Sequence, residues 1–184
     1  ARPHEVEVGR CADTAGGLQD ADEVRAGSGE LRGIGHCDVS PHTSLVGLDG
    51  RTKLVDFGVA NATARSDGGD NDRIKGKFGY MSPEQAAGRH DKIDTRTDVY
   101  SLGVMLYRLL TGRSPYSLSG SMFDVLQRIV QGKIVRPQQV TKSIDRELDA
   151  LLIKALALNP EDRYSSAGAL EDDSNNYLDG EPLN

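Results

Sequence analysis

The segment 97–112 constrains the fold most, because as a helix it is apolar on nearly every side. Thr97 is a suitable helix N-cap, and Gly112 followed by Pro115 is typical of a helix end. A helix that is apolar nearly all round is buried, so this segment predicts a helix at the centre of a helical core. Its apolar residues are Val99, Leu102, Val104, Met105, Leu106, Leu109 and Leu110.

Later segments predict helices that pack around this centre. Residues 122–130 place apolar side chains on one helical face, and residues 148–156 repeat the pattern behind Ser143, a candidate N-cap. A last helix begins at a serine and carries two further core candidates. These residues are Ser165 or Ser166 at the start, followed by Leu170 and Tyr177.

Residues 44–55 predict a small β-hairpin. Leu45 and Val46 lead into Asp49 and Gly50, and an apolar run returns over residues 53–55. An Asp-Gly pair between short apolar runs favours a tight turn with positive φ. The predicted fold class is therefore mainly α, with one hairpin.

Two segments lack clear periodicity. Residues 1–33 contain Gly16-Gly17 and further glycines, which indicates a degenerate helix or a loop. Residues 59–80 are polar and contain Gly68-Gly69, which is typical of a mobile loop.

Composition narrows the classes of function. The 184 residues and 37% hydrophobic content suit one domain with a real core. A net charge of −6, with no basic stripe bearing aromatic residues, argues against nucleic acid and anionic membranes as partners. The longest apolar stretch, 102–110, contains Arg108 and is too short to span a bilayer. Cys11 and Cys37 lack zinc-ligand spacing and suit a reducing compartment, so we expect a cytoplasmic protein.

Five short motifs occur in a fixed order: 36–43 (HCDVSPHT), 56–58 (DFG), 79–85 (GYMSPEQ), 98–104 (DVYSLGV) and 159–164 (NPEDRY). Together they resemble eukaryotic-like serine/threonine protein kinases, in a phrasing typical of bacteria. The resemblance covers about residues 31–178, between a lead-in over 1–30 and a tail over 179–184. It implies the large, C-terminal lobe of a kinase, with the hairpin near the active site and the N-terminal lobe absent.

The resemblance implies catalytic roles for two acidic residues. Asp38 would stand at the position of the catalytic base, where a carboxylate orients the attacking hydroxyl. Asp56, eighteen residues later, would be the magnesium-binding carboxylate. Leu45 would form the floor of the adenine pocket, so ATP and Mg²⁺ are the implied cofactors. From residue type alone, each aspartate also suits a turn in which it bonds to its own backbone.

Other positions would be structural. The resemblance implies a buried ion pair between Glu84 and Arg163, and both residues are present, as expected because buried charges persist only when they are paired. Asp98 would accept hydrogen bonds from the backbone of the catalytic loop, although the helix dipole also favours an aspartate in a first turn. The remaining structural positions are His36, Phe57 and Gly58, with Phe57 expected to pack beside His36.

Several residues depart from the family pattern. Thr43 replaces an Asn that binds a second magnesium, which makes it a weak metal ligand. Cys37 replaces an Arg, and we prefer a small packed residue to a reactive thiol there. Ser40 replaces a Lys while Lys77 replaces a Thr, so hydroxyl and ammonium would be exchanged near the base, with Lys77 neutralising phosphoryl charge. An exposed loop lysine is the alternative for Lys77.

Gly35 and Ser44 also depart, since a β-branched residue is usual at the first position and an apolar strand residue at the second. Nothing upstream resembles a phosphate-binding Gly-rich loop, a strand lysine or its helix glutamate, and the chain begins at Ala1, which suits a fragment or a processed product. We therefore expect a serine/threonine kinase catalytic region with little or no activity by itself.

Two alternatives stay open, namely a pseudokinase-type binding or scaffold module that uses helical faces near residues 119–140, and a non-functional remnant. The expected partners are a protein substrate or protein partner and a separately encoded N-terminal lobe. Exposed apolar surface also predicts self-association.

Overall fold

The computed structural model describes residues 35–55 and 78–184, and about half of these residues are helical. The predictions for Asp56, Phe57, Gly58 and Lys77, and for the segments 1–33 and 59–77, lie outside these residues. The described strands are β1 (Ser44–Val46) and β2 (Thr52–Leu54). The described α-helices are α1 (Pro83–Ala86), α2 (Thr95–Thr111), α3 (Met122–Gln131), α4 (Pro137–Val140), α5 (Arg146–Ala155) and α6 (Ala167–Asp179). Short 3₁₀ turns occupy His90–Lys92 and Pro160–Asp162.

The predicted hairpin is confirmed. Strands β1 and β2 pair antiparallel, with Ser44 opposite Leu54 and Val46 opposite Thr52. Gly50 has a φ of 80°, and its backbone N–H donates to the carbonyl of Gly47 at 2.9 Å. The connection runs over residues 47–51 and is longer than the two-residue turn that an Asp-Gly pair often makes.

Helix α2 is the predicted central helix, with two corrections. Its N-cap is Asp94, whose side chain accepts a hydrogen bond from the backbone of the first turn, whereas Thr97 lies inside the helix. Gly112 ends it with a φ of 68°, as expected. The prediction of burial all round is wrong for the last turn, where Leu109 is 80% exposed and Leu110 is also exposed. The central core ends before this turn, so these two side chains face solvent.

The core forms where α2 packs on α5 and α6. Gly103 allows the close approach, because a Cβ at this position would lie 3.0 Å from the Cβ of Ala155. This contact explains a glycine inside a helix, where it costs about 1 kcal/mol relative to alanine. The fully buried side chains around it include Val99, Tyr100, Val104, Tyr107, Leu151 and Leu152.

The other predicted helices are present as α3, α5 and α6, with one change of cap, whereas α1 and α4 were not predicted. Asp145, and not Ser143, caps α5 by accepting a hydrogen bond from the backbone of Leu148. Ser166 caps α6 in the same way, as one of the two predicted candidates. The described part of the chain contains no helix long and apolar enough to cross a membrane.

A buried ion pair joins α1 to the region before α6. The guanidinium of Arg163 donates to both carboxylate oxygens of Glu84, at 2.8 and 2.7 Å, and the hydroxyl of Thr97 donates to the same carboxylate at 2.8 Å. The other donors of Arg163 bind three backbone carbonyls, so all five of its N–H groups are used. These carbonyls belong to Arg96, Ala157 and Leu158.

The carboxyl group of Glu84 carries a pH dependence. Burial opposes its ionisation, but the hydrogen bond and charge of Arg163, together with hydrogen bonds from the backbone of Glu84 and from Thr97, outweigh burial and lower the pKa of Glu84 below its ordinary 4.5. A carboxyl whose pKa is lower in the folded state stabilises the fold above the unfolded pKa. That contribution is lost as the pH falls through the lowered, folded-state pKa.

Removing Glu84 should therefore be costly. We expect Glu84→Ala to lower the free energy of unfolding by about 3–5 kcal/mol at pH 7, because Arg163 would stay buried without a counter-ion. Urea denaturation measures this loss, which should shrink below about pH 4. The control is Arg51→Ala, which breaks an exposed pair with Asp49 and should change stability by less than about 0.5 kcal/mol. Equal losses in the two variants would contradict the assignment.

Candidate active site

The start of the 36–43 loop, which we call the catalytic loop, is held by Asp98 in the first turn of α2. The two oxygens of its carboxylate accept the backbone N–H groups of His36 and Cys37, at 2.7 and 2.8 Å. Burial raises the pKa of Asp98, and these two hydrogen bonds oppose the rise. The side chain thus makes the backbone contacts that the resemblance implied.

Gly35 gives the loop room to approach α2. A Cβ at this position would lie 3.0 Å from the carboxylate of Asp98 and 3.3 Å from the carbonyl oxygen of Asp94. The β-branched residue usual here would press against these oxygens. This glycine, noted above as a departure from the pattern, therefore fits the local geometry.

Cys37 adopts the left-handed region with a φ of 59°, and it is the one non-glycine residue to do so among the described residues. Its carbonyl oxygen accepts a hydrogen bond from the side-chain amide of Gln85 at 2.7 Å. Burial, followed by the negative charges of Asp98 and Asp94, raises the pKa of its thiol. Because nucleophilic attack requires the thiolate, this environment favours the packed residue over the reactive thiol.

Thr43 closes the catalytic loop on itself. Its hydroxyl donates to the carbonyl oxygen of Asp38 at 2.8 Å and accepts the backbone N–H of Ser40 at 3.0 Å. Thr43 is 3% exposed, and the hydroxyl of Ser40 lies 3.4 Å from its oxygen. The hydrogen bond accepted from Ser40 competes with a metal ion for the oxygen of this hydroxyl, and the assignment of Thr43 as a weak metal ligand stays a prediction.

Ser40 is a buried residue of the same loop. It is 1% exposed, and its carbonyl oxygen accepts from the hydroxyl of Ser44 at 2.9 Å. Ser44, another departure from the family pattern, thus ties the first strand to the loop. Burial of Ser40 favours a structural role for this residue, while its exchange with Lys77 stays a prediction.

Val55, which follows β2, is bound to the catalytic loop through both its backbone N–H and its carbonyl group. The backbone N–H of Val55 donates to the carbonyl of Thr43, and its carbonyl oxygen accepts from Nε2 of His36, each at 2.9 Å. Because a carbonyl oxygen can only accept, Nε2 carries the proton. Val55, the last described residue before Asp56, thus lies beside the loop that carries Asp38.

The other predicted positions lie around this loop. Asp38 is half-buried, and Leu45 presents an apolar side chain that is 56% exposed on β1. Within residues 35–55 and 78–184, no cluster of three or more His, Cys, Asp or Glu side chains is arranged to hold a metal ion. Asp56, the predicted magnesium ligand, lies outside those residues.

The segment 79–85 is fixed by contacts that the sequence did not indicate. The hydroxyl of Ser101 on α2 donates to the carbonyl of Tyr80, and the phenol of Tyr116 donates to the carbonyl of Gly79, both at 2.8 Å. Burial raises the pKa of Tyr116 far above its usual range, which keeps this donor protonated. The apolar neighbours of Ser101 in sequence were the available signal, because a serine on a buried helix face requires a partner.

The chain is similar to known protein kinases. The model of the protein kinase domain matches residues 31–174. The tyrosine-protein kinase MasK of Myxococcus xanthus is 37% identical over 166 residues, which cover 90% of this chain and 25% of that protein. The serine/threonine-protein kinase PknB of Mycobacterium leprae is 39% identical over 151 residues, which cover 82% of this chain and 24% of that protein.

A probable serine/threonine-protein kinase of Clostridium acetobutylicum is 35% identical over 150 residues, which cover 79% of this chain and 22% of that protein. The chain thus spans about a quarter of the length of the curated relatives it matches. All five motifs fall inside the matched region. The chain therefore belongs to the protein kinase family, in its bacterial, eukaryotic-like branch.

Proposed function

We propose that this chain is the catalytic region of a protein serine/threonine kinase, which transfers the γ-phosphoryl group of ATP to a protein hydroxyl. The observation that carries the proposal is the double anchoring of the catalytic loop. Asp98 holds its first residues, and Val55 binds the loop through both Thr43 and His36. A loop held at both ends presents Asp38 on a rigid support, which positioning of an attacking hydroxyl requires.

Asp38 is the proposed base. As a carboxylate it would accept a hydrogen bond from the substrate hydroxyl and then its proton, while the hydroxyl oxygen attacks the phosphoryl group. Its own carbonyl is held by Thr43, which limits movement of the backbone at this position. Leu45, exposed on β1, would support the adenine ring.

Asp56 is the proposed ligand for Mg²⁺. When bound, the ion would neutralise charge on the phosphate oxygens. Thr43 is assigned a different task, because its hydroxyl is used within the loop. We therefore infer a site with fewer protein ligands for metal than the family pattern has.

The preference for serine or threonine as the acceptor rests on the catalytic-loop residues 36–43. The relatives from Mycobacterium leprae and Clostridium acetobutylicum carry serine/threonine kinase names, which agrees with it, whereas the relative from Myxococcus xanthus is named a tyrosine kinase. An assay that offers all three hydroxyl residues decides between them.

A second candidate function is a binding module that has lost catalysis. The buried hydroxyl of Thr43 favours it, because the second-metal ligand has become part of the loop structure. Such a module would use the helical faces near 119–140, where Phe123 on α3 is 72% exposed. It would bind a protein partner without requiring Mg-ATP.

Phosphoryl transfer should depend on Asp38. In a protein that joins this chain to a kinase N-terminal lobe, we expect Asp38→Asn to lower the rate of transfer from ATP to protein serine by about a hundredfold or more, because an amide cannot accept the hydroxyl proton. The thermal unfolding midpoint should not change. Asp49→Asn on the exposed hairpin connection is the matched control and should keep the rate. Transfer that survives Asp38→Asn would refute the assignment, and partner binding without any transfer or Mg-ATP binding would support the second candidate.

Thr43 should act through its hydroxyl and not through its shape. Thr43→Val keeps the shape but leaves the backbone N–H of Ser40 and the carbonyl of Asp38 without this partner, so we expect stability to fall by about 1–3 kcal/mol. Thr43→Ser keeps the hydroxyl and should lose less than half as much. Urea denaturation compares the two variants. Equal losses would show that the hydroxyl does not close the loop.

A further inference from the structure

Gln85 connects two parts of the active site. It lies in α1, at the end of the segment 79–85, and its side-chain oxygen accepts from the backbone N–H and the hydroxyl of Ser82, at 3.0 and 3.2 Å. The N–H of the same amide donates to the carbonyl oxygen of Cys37 at 2.7 Å, across 48 positions of sequence. The orientation of the amide is determined, because the backbone N–H of Ser82 needs an acceptor and the carbonyl of Cys37 needs a donor.

The residue that Gln85 contacts has an unfavourable backbone conformation. Cys37 has a φ of 59°, in a region that is sterically unfavourable for a residue with a Cβ. Its N–H is held by Asp98 and its carbonyl by Gln85. Conformations of this kind persist only when surrounding contacts enforce them, and these two side chains supply contacts on either side of the residue.

We propose that Gln85 is a positioning residue for the proposed base, since its side-chain amide holds Cys37 in the left-handed conformation that directs Asp38. The peptide that Gln85 binds is the one joining Cys37 to Asp38, so rotation of this peptide changes the direction of the Asp38 side chain. The effect of this contact on phosphoryl transfer rests on the proposed function. Its effect on the backbone conformation of Cys37 does not depend on that function.

The link also connects the base to the segment 79–85. The carbonyls of Gly79 and Tyr80 are bound by Tyr116 and Ser101, and Glu84 is bound by Arg163. Displacement of this segment would draw Gln85 away from Cys37 and release one of the two contacts that enforce its conformation. The state of the segment is thereby transmitted to the catalytic loop.

Gln85→Glu tests the link while keeping the cap of α1. A glutamate at this position still accepts from Ser82, as in an ordinary capping box, but it cannot donate to Cys37. We expect the backbone amides of His36 and Cys37 in the full chain to exchange with solvent deuterium about fivefold faster, as loss of one hydrogen bond implies. Exchange at buried positions of α2, such as Val104, should not change.

Gln127→Glu is the matched control, because it adds the same charge at an exposed position of α3. It should change exchange at His36 and Cys37 by less than about twofold. The decisive comparison repeats Gln85→Glu in a Cys37→Gly background, where glycine adopts a positive φ without steric cost. If Gln85 acts by enforcing that conformation, the effect of Gln85→Glu should there fall below about twofold, after correction for intrinsic exchange rates.

Two results would overturn the inference. One is unchanged exchange at His36 and Cys37 in Gln85→Glu, which would show that the link does not hold the loop. The other is equal acceleration in the parent chain and in the Cys37→Gly background, which would show that the link does not act through the left-handed conformation. Neither result bears on Asp38 as the base, whereas transfer that survives Asp38→Asn would refute the proposed function and leave the backbone coupling intact.

Discussion

The site depends on one half-buried carboxylate, that of Asp98, and on the helix that carries it. Its two oxygens bind consecutive backbone N–H groups of the catalytic loop, while burial opposes its charge. Helix α2 keeps the carboxylate in place because its other side chains fill the core against α5 and α6. The geometry of a polar loop is therefore determined by the packing of an apolar helix.

Beside this helix, a buried ion pair fixes the position of a neighbouring element, as hydrophobic packing does within the core. Arg163 is buried with every N–H group bonded, and its pair with Glu84 brings α1 against the start of α2 through Thr97. A buried ion pair adds little net stability over an apolar replacement, but removing one partner is costly. Its effect is to specify one position for α1, and hence for Gln85.

Sequence reasoning predicted the parts of this arrangement that repeat known physical patterns. Periodicity located the central helix and the hairpin, and the resemblance paired Glu84 with Arg163 and placed Asp98 under the loop. It missed contacts that depend on the fold of distant segments, such as those of Gln85, Ser101 and Tyr116, because side-chain-to-carbonyl bonds leave no periodic signal. The exposure of Leu109 was missed for a related reason, since an apolar pattern does not show where the core ends.

Three residues that depart from the family pattern make contacts that fit together in the catalytic loop. Gly35 removes a Cβ that would press on Asp98, and Thr43 and Ser44 supply hydroxyls that bind backbone carbonyls within the loop. Each change replaces a longer or bulkier side chain by one that fits or bonds locally, so the loop is held by short contacts of its own. Such a loop keeps its shape without a metal ion at Thr43. At Cys37 its conformation depends on Asp98 and Gln85, two side chains that reach this residue from other parts of the chain.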